Sequence, residues 1–325
     1  MMYESLLDAI GNTPLVRVKF NTHSNIYAKL EYLNPGGSVK DRSALYLVEL
    51  AEKQGLLKPG GTLVDASSGN HGIAVAMIGR LKGYKVIITA SEKVSAEKRA
   101  TIEAYGAQVI LCPPTELIEH PESYHSKALE ILRNTPNSFM PNQYFNVANR
   151  HAHRTILGPE IWRQTNGKIT HFFAAAGTCG TVSGVGEFLK SMNPAIKVIA
   201  FDSNNSFYMT KGNPKPYKVE GMGIDFASPV LNESVIDEIL PVADDNALPM
   251  LRTMALDHGL LVGPSSGAVA YGVAQYASKL TDNDLAVFIC GDSGRAYLSK
   301  GFYGHAEDAA NAMIQPAKSQ PQYTV

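Results

Sequence analysis

A glycine-rich turn carries the lysine best suited to chemistry. Residues 34–42, with the sequence NPGGSVKDR, combine a proline and two glycines with Lys40. Proline fixes its own φ and glycine reaches conformations closed to other residues, so this stretch predicts a sharp, defined turn. Leu45, Val48 and Leu50 follow at helical intervals, which places Lys40 where a loop becomes a helix over residues 41–55. A lysine held there and partly desolvated can form a Schiff base. Taken alone, its ordinary interpretation is a surface lysine, one of 29 Lys and Arg residues.

Three further loops are rich in glycine, serine and threonine: residues 67–72 (SSGNHG), 177–181 (GTCGT) and 263–267 (GPSSG). All three are predicted at the carboxyl ends of strands, where open α/β sheets collect ligands. Loop 177–181 offers backbone N–H groups, threonine hydroxyls and a helix N-terminus, which together suit a phosphate. It lacks the G-K-[ST] ending of a nucleoside-triphosphate P-loop. The hydroxyls of loop 67–72 and the Asn70 amide could hold a carboxylate or a phenolic oxygen. Each loop could also be a plain tight turn.

Alternating strand and helix patterns position these loops. Strands are predicted at residues 26–30, 62–66, 85–89, 108–111, 171–176, 197–201 and 285–289, and helices at residues 73–81, 95–105, 122–132, 149–165, 182–192, 243–258 and 266–280. Such alternation predicts an α/β fold with two domains, each a mostly parallel twisted sheet flanked by helices. We place a smaller mobile domain at residues 41–148 and a larger one at residues 1–40 plus 149–315. Residues 316–325 are expected to be a frayed tail.

The composition excludes several classes of protein. The 325 residues carry a formal net charge of −1, which gives no reason to expect nucleic acid or an anionic membrane surface as a partner. A secretory signal and a membrane-spanning run are absent from the sequence, so we expect a soluble, cytoplasmic protein. Cys112, Cys179 and Cys290 lie far apart without metal-ligand spacing, which predicts three reduced thiols and no metal site.

Taken together, the four loops resemble one family. The lysine loop, S-S-G-N-x-G, G-T-x-G-T and G-x-S-S-G occur in this order in the pyridoxal-phosphate-dependent β-replacement enzymes of fold type II, which is the tryptophan synthase β-like fold. Cysteine synthase and cystathionine β-synthase are members. Similar stretches at residues 11–15 (GNTPL), 142–149 and 158–162 (GPEIW) extend the resemblance over about residues 5–300. Residues 219–226 (VEGMGIDF) look more like the cystathionine β-synthase version.

The resemblance implies a role for each matching position. Lys40 would form the internal aldimine with pyridoxal 5′-phosphate and later move the Cα proton. Asn70 would bind the ring oxygen of the cofactor, and Ser265 would face its pyridine nitrogen. The phosphate would lie on residues of the larger domain: Gly177, Thr178, Cys179, Gly180 and Thr181. The amino-acid substrate would contact Ser67, Ser68, Gly69, His71, Gln143 and Gly221.

The implied reaction is a β-replacement in two halves. Serine or an O-activated serine would lose its β-group to give an aminoacrylate, and a nucleophile would then add to yield cysteine, cystathionine or a related β-substituted alanine. Closure of the smaller domain would exclude water. Two alternatives within the cofactor class remain: a serine/threonine dehydratase, or a diaminopropionate-type synthase that uses an amine. A non-catalytic sensor would be a different class of protein. The family also implies a homodimer.

Three positions depart from the family pattern. His71 stands where threonine is usual, Cys179 where a glycine is usual and Gly291 where a proline is usual. Cys179 is expected to be a buried, inert thiol rather than a redox or nucleophilic group. His71 could contact the leaving group or the second substrate, since histidine titrates near neutral pH, or it could be a satisfied structural residue.

Overall fold

Two sheets organise the chain. The computed structural model describes residues 2–20, 25–67, 69–115 and 118–304, so Ser68 and the predicted tail at residues 316–325 lie outside the described residues. The described strands are β1 (Leu15–Arg17), β2 (Asn25–Leu30), β3 (Thr62–Ala66), β4 (Lys85–Ser91), β5 (Gln108–Cys112), β6 (Ser138–Phe139), β7 (His171–Ala175), β8 (Lys197–Ser203), β9 (Glu238–Val242) and β10 (Leu285–Cys290). The larger sheet has the strand order β1-β2-β10-β7-β8-β9 and the smaller one β5-β4-β3-β6. Neighbouring strands are parallel except β1 and β2.

Helices connect most of these strands. Within the described residues the α-helices are α1 (Lys40–Lys53), α2 (Asn70–Leu81), α3 (Ala96–Ala104), α4 (Tyr124–Asn134), α5 (Ala148–Ala152), α6 (Gly158–Gln164), α7 (Gly180–Met192), α8 (Asp244–His258) and α9 (Pro264–Tyr276). A π-helical turn, His153–Leu157, joins α5 to α6, and a 3-10 helix, Gly294–Lys300, follows β10. Of the described helices, none has both the length and the apolar character that crossing a membrane requires.

Both faces of the larger sheet are buried. In β7, Phe172 and Phe173 are fully buried but belong to different apolar clusters, because successive side chains of a strand point to opposite faces. The same holds in the smaller sheet, where Leu63 and Val64 of β3 enter separate clusters. Such continuous apolar strands are typical of parallel sheets covered by helices on both sides. The predicted α/β architecture is therefore confirmed.

Three of the four loops follow the carboxyl ends of strands β2, β3 and β7, but loop 263–267 connects α8 to α9, so its predicted place after a strand is wrong. β10 lies between β2 and β7 in the larger sheet, so the segments that follow these three strands are neighbours. The Val39 amide donates to the Gly291 carbonyl across 2.8 Å, which ties the lysine loop to the end of β10. An isolated bridge between Ser38 and Asp292 reinforces this link. The boundaries predicted for the two domains, and the mobility of the smaller one, stay predictions.

The structure differs from the expected elements in several places. The single helix predicted at residues 149–165 is interrupted by the π-helical turn. Gly184 of α7 lies beside it, so close to α5 that a Cβ would collide with the Arg150 carbonyl. Strands β1, β6 and β9 were not predicted from the sequence. β6 has two residues, and β9 contains Pro241, which is tolerated because β9 is an edge strand.

Candidate active site

Lys40 is the first residue of α1 and is partly buried. The turn before it is stabilised locally. The Gly36 amide donates to Asp41 across 2.5 Å, and Gly37 has a φ of +86°, which favours glycine. Burial lowers the pKa of the Lys40 amine, while the negative charge of Asp292 acts in the opposite direction. A lysine with a lowered pKa has a larger neutral fraction, and the neutral amine is the nucleophile that Schiff-base chemistry requires.

Loop 177–181 connects β7 to the N-terminus of α7 and approaches other backbone closely. A Cβ on Gly177 would lie 2.6 Å from the Gly221 carbonyl oxygen, and one on Gly180 would collide with the Asn149 amide. The side chain of Cys179, the residue before α7, makes no capping hydrogen bond, and the Gly180 amide has only a long contact, 3.5 Å, with Thr178 Oγ1. The N–H groups of a helix N-terminus point outwards and can bind an anion. Cys179 has a φ of +64°, a left-handed conformation that explains why glycine suits this position.

Asn70 is held by an acidic residue that we did not single out from the sequence. Its Nδ2 donates to Asp292 Oδ2 across 2.7 Å, and the Tyr297 hydroxyl donates to the same oxygen across 2.5 Å. Burial raises the pKa of Asp292. Because an amide nitrogen carries two hydrogens, Asn70 keeps one donor for a ligand while Asp292 fixes its orientation.

Ser265 lies in the first turn of α9, near Gly291 and Gly221. Its Oγ would be 3.9 Å from a Cβ on Gly291 and 3.2 Å from one on Gly221. The Gly291 amide donates to Ser266 Oγ across 3.0 Å. A proline at this position could not make that hydrogen bond. The departure at Gly291 therefore has a structural explanation.

The predicted substrate residues that the structure describes, which excludes Ser68, line a cavity of about 360 Å³. Lys40 lines both this larger cavity and a smaller one. The larger cavity brings together Lys40, Ser67, Gly69, Asn70, His71, Gln143, Gly177, Thr178 and Gly221. The smaller one is lined by Lys40, Asn70, Gly177, Thr178, Cys179, Thr181, Gly221 and Ser265. Gly180 lines neither cavity, because it packs against Asn149.

The hydrogen bonds of Ser67 and Gln143 show which of their polar atoms remain available to a substrate. Ser67 Oγ accepts from the Gly72 amide across 3.1 Å and so caps the start of α2. Its hydroxyl hydrogen can still donate to a substrate. Gln143 Oε1 is buried and has no hydrogen-bond partner in the described part of the chain, whereas the Gln143 backbone carbonyl accepts from Asn149 Nδ2 across 2.7 Å. Asn149 Nδ2 also lies 3.2 Å from Thr178 Oγ1, so Asn149 links the Gln143 segment to loop 177–181.

A buried lysine closes one side of the larger cavity. Lys98 of α3 is 3% exposed, and its ammonium group lies 2.6 Å from Glu220 and 3.1 Å from the Tyr297 hydroxyl. We call these three residues the Lys98 clasp. It joins a helix packed beside the smaller sheet to segments that follow β8 and β10 of the larger sheet.

Three residues of the site were not predicted from the sequence, and only some of them have a sequence feature that could have identified them. Asp292 follows directly after β10, at the carboxyl end of a strand, and Asp65 is an acid within a strand buried throughout. Both features could have marked them as candidates. Lys98, by contrast, is one of several charged residues on α3, and nothing in the sequence indicates its burial.

Comparison with known proteins agrees with this arrangement. The family model of pyridoxal-phosphate dependent enzymes matches residues 6–291. The chain belongs to this family. Cysteine synthase of Staphylococcus aureus is 40% identical over 304 residues, which cover 92% of this chain and 97% of that protein. Cystathionine beta-synthase of Apis mellifera is 41% identical over 304 residues, 91% of this chain and 60% of that protein.

Solved structures show the same fold over nearly the whole chain. O-ureido-L-serine synthase has a TM-score of 0.89 at 34% identity, covering 96% of this chain and 100% of that one. The O-acetylserine dependent cystathionine beta-synthase from Helicobacter pylori has a TM-score of 0.87 at 35% identity, covering 94% and 100%. The predicted family, enzyme class and fold type II are thereby confirmed.

Proposed function

We propose that this enzyme catalyses β-replacement on serine or an O-activated serine and forms cysteine, cystathionine or a related β-substituted alanine. The observation that carries the proposal is the shared cavity. Lys40 lines it together with Asn70 at the start of α2 and Gln143, which suit an amino-acid carboxylate, and with loop 177–181, which suits a phosphate. The relatives that act in cysteine and cystathionine synthesis support the same reaction class.

The residues present fit pyridoxal phosphate. Glycine at positions 177 and 180 leaves no Cβ in a loop where one would collide, and α7 presents its uncapped N-terminus there. We propose that loop 177–181 holds the phosphate, Asn70 the ring oxygen and Ser265 the pyridine nitrogen, with Lys40 as the attachment point. When bound, the cofactor supplies the electron sink for negative charge at the substrate Cα.

The side chains of this protein then perform the remaining tasks. Lys40 Nζ accepts the Cα proton and returns it after the nucleophile has added. The substrate carboxylate accepts hydrogen bonds from the Ser67 hydroxyl, the backbone of loop 67–72 and the Gln143 amide. The Lys98 clasp keeps water out of the cavity during the reaction, so that water does not react with the substrate in place of the nucleophile.

The decisive experiment compares Lys40→Ala with Lys53→Ala. Lys53 is the exposed last residue of the same helix and serves as a matched control. Borohydride reduction of the holoenzyme followed by peptide mass spectrometry should locate the cofactor on Lys40. Lys40→Ala should lower product formation roughly 10²–10⁴-fold or more, and Lys53→Ala should leave it unchanged. Label on another lysine, or wild-type rates in Lys40→Ala, would contradict the proposal.

The nucleophile is identified by combining donors with acceptors. Serine, O-acetylserine and O-phosphoserine are each mixed with sulfide, homocysteine or an amine, and the products are separated by chromatography. Sulfide or homocysteine is expected to be incorporated. Release of pyruvate or 2-oxobutyrate without an acceptor would indicate the dehydratase, and an amine product the diaminopropionate-type alternative. A protein that binds no cofactor and consumes no donor would be the non-catalytic sensor.

We also propose a homodimer in the cytoplasm. Apolar side chains near the N-terminus, among them Tyr3, Leu6 and Val16, are exposed and offer surface for a second copy. The three cysteines are free and buried, as is usual in a reducing compartment. Light scattering coupled to size-exclusion chromatography should give twice the chain mass of 35.1 kDa. The part of the chain that carries the smaller sheet is proposed to close over the bound substrate.

A further inference from the structure

His71 and Asp65 form a buried pair beside the larger cavity. His71 Nδ1 lies 2.9 Å from Asp65 Oδ2, and the two side chains are 0% and 1% exposed. A carboxylate accepts at this distance, so the hydrogen of the neutral imidazole resides on Nδ1 and Nε2 carries the free lone pair. Among the residues that the structure describes, the second oxygen of Asp65 has no hydrogen-bond partner, and His71 is the group that this carboxylate orients.

The other nitrogen of His71 is unused within the described structure. Nε2 is buried and has no hydrogen-bond partner, although His71 lines the cavity of about 360 Å³. Buried polar atoms are nearly always hydrogen-bonded, and an exception calls for a ligand or a function. Gln143 lines the same cavity, and its buried Oε1 likewise has no hydrogen-bond partner among the described residues, so two residues with unsatisfied polar atoms border the cavity.

We propose that His71 is a catalytic residue that carries a proton between the donor's leaving group and the incoming nucleophile, and that Asp65 is its positioning residue. This inference rests on the proposed β-replacement. The protonated imidazole gives its Nε2 hydrogen to the departing oxygen, and the neutral imidazole then accepts the hydrogen of the nucleophile. The Asp65 carboxylate stabilises the charged imidazole, which is present before the first transfer and again after the second.

Atoms and electrons balance over the two halves. First, the Cα–H proton moves to Lys40 Nζ, its electron pair enters the Cα–Cβ bond, and the Cβ–O bond breaks as the oxygen takes a proton from His71. Second, the X–H bond of the nucleophile breaks, its proton moves to His71 Nε2, and X–Cβ forms while Lys40 returns the proton to Cα. The sum is replacement of HO by X with release of water, and no further reactant is needed.

Other ionisable groups around the cavity are less suited to this task. Lys98 is held by Glu220 and the Tyr297 hydroxyl, and Tyr217 donates to Asp225 across 2.5 Å. Burial raises the pKa of Tyr124 and that of Tyr144, so both hydroxyls are weak acids. Lys40 is occupied with the Cα proton.

The test exploits the difference between two leaving groups. Hydroxide leaves serine only with the help of an acid, whereas acetate leaves O-acetylserine without one. In single turnovers of the holoenzyme, we expect His71→Gln to slow consumption of serine roughly 100-fold or more while consumption of O-acetylserine falls less than about 10-fold. Asp65→Asn should change the ratio of the two rates in the same direction, because an amide favours the wrong tautomer.

A second histidine–aspartate pair provides the matched control. His171 lies 3.5 Å from Asp284, outside both cavities. His171→Gln should leave the ratio of the serine rate to the O-acetylserine rate unchanged. If His71→Gln fails to fold, His71→Thr, which carries the usual residue of the family, gives the same comparison. Thermal melting and cofactor content establish that each variant is intact.

The possible results separate this proposal from the proposed function. Equal losses with both donors in His71→Gln would show a merely structural role and overturn the proposal, as would unchanged rates. A wild-type enzyme that consumes O-acetylserine but not serine would overturn the proposed role of His71 and leave the proposed β-replacement standing. A wild-type holoenzyme that consumes neither donor overturns the proposed β-replacement as well.

Discussion

Cys179 illustrates how a residue's surroundings decide its chemistry. It lies in the predicted phosphate loop, where a thiolate would be close to the site, yet burial raises its pKa to about 12. Its Sγ is 3.5 Å from the Gly177 carbonyl oxygen, to which a protonated thiol can donate. The structure therefore favours the inert interpretation.

Native thiols should accordingly react very slowly. Burial also raises the pKa of Cys112 and that of Cys290. At pH 8, a thiol with a pKa near 12 has a thiolate fraction roughly 1,000-fold below that of an exposed cysteine, and steric protection adds to this. We expect Ellman's reagent to titrate three thiols per chain in guanidinium and none rapidly in the native enzyme. A fast native thiol that disappears in Cys179→Ser would show that Cys179 is reactive.

Motif residues could be predicted from the sequence, whereas the residues that orient them could be predicted only in part. Lys40, Asn70 and Ser265 belong to loops whose spacing is informative by itself. The contacts of Asp292 and Lys98 join residues distant in the chain, and Lys98 meets Tyr297 only because α3 packs against the 3-10 helix after β10. Local patterns carry no record of such a contact.

At the scale of elements, a buried network of charged side chains connects α1, the helix that begins at Lys40, to β2 and α6. Glu160 of α6 pairs with Lys29 of β2 and, at 2.8 Å, with Arg42 of α1, while Arg42 lies 2.6 Å from Glu31. All four side chains are almost fully buried. With two positive and two negative charges, the network is neutral as a whole, and loss of one member leaves an uncompensated buried charge.

Glu160→Gln should therefore destabilise the enzyme in a pH-dependent way. Burial opposes ionisation of Glu160, but Arg42 and Lys29 outweigh it and lower its pKa to about 2. We expect a loss of about 3–5 kcal/mol in the free energy of unfolding at pH 7. Because the folded pKa is below the unfolded value, this stabilisation is present above pH 4.5 and declines as the pH falls towards 2. The difference from wild type should narrow by roughly 1 kcal/mol between pH 7 and pH 3.5.

An exposed pair provides the control for this measurement. Arg99 and Glu103 lie 2.8 Å apart on the surface of α3. Glu103→Gln should change the free energy of unfolding by less than about 0.5 kcal/mol, without a marked pH dependence. Urea unfolding followed by circular dichroism measures both variants. If Glu160→Gln changed the free energy of unfolding no more than Glu103→Gln does, the buried charge network would contribute little to stability.

At the scale of the whole molecule, the Lys98 clasp is a contact between the parts that carry the two sheets. Further hydrogen bonds lie beside it, since the Ser299 amide donates to Glu97 across 3.1 Å and Ser95 Oγ lies 3.5 Å from the Ala296 carbonyl. Together they hold α3 against the 3-10 helix that follows β10. This contact lies at the rim of the larger cavity, where closure over a substrate would be needed.

Lys98→Met should loosen this contact. The substitution keeps the apolar stem of the side chain and removes its ammonium group, so amides of α3 and of residues 294–300 should exchange hydrogen faster. We expect the KM for the donor to rise roughly 10-fold, equivalent to one charged hydrogen bond of about 1.5 kcal/mol. Lys127→Met, which removes an exposed partner of Glu130, is the control. Unchanged exchange in both segments would exclude a clasp function.

The position of β10 in the larger sheet also governs when the enzyme acquires its site during synthesis. β2 emerges early from the ribosome, but its parallel partner β10 is made 260 residues later, as the register Leu285↔Asn25 shows. Until then β2 has only the short β1 beside it, while β3, β4 and β5 pair among residues near one another in the chain. Lys40 therefore lacks its contacts with Gly291 and Asp292 until β10 has been synthesised. A ribosome-bound chain that stops before β10 should be unable to retain the cofactor.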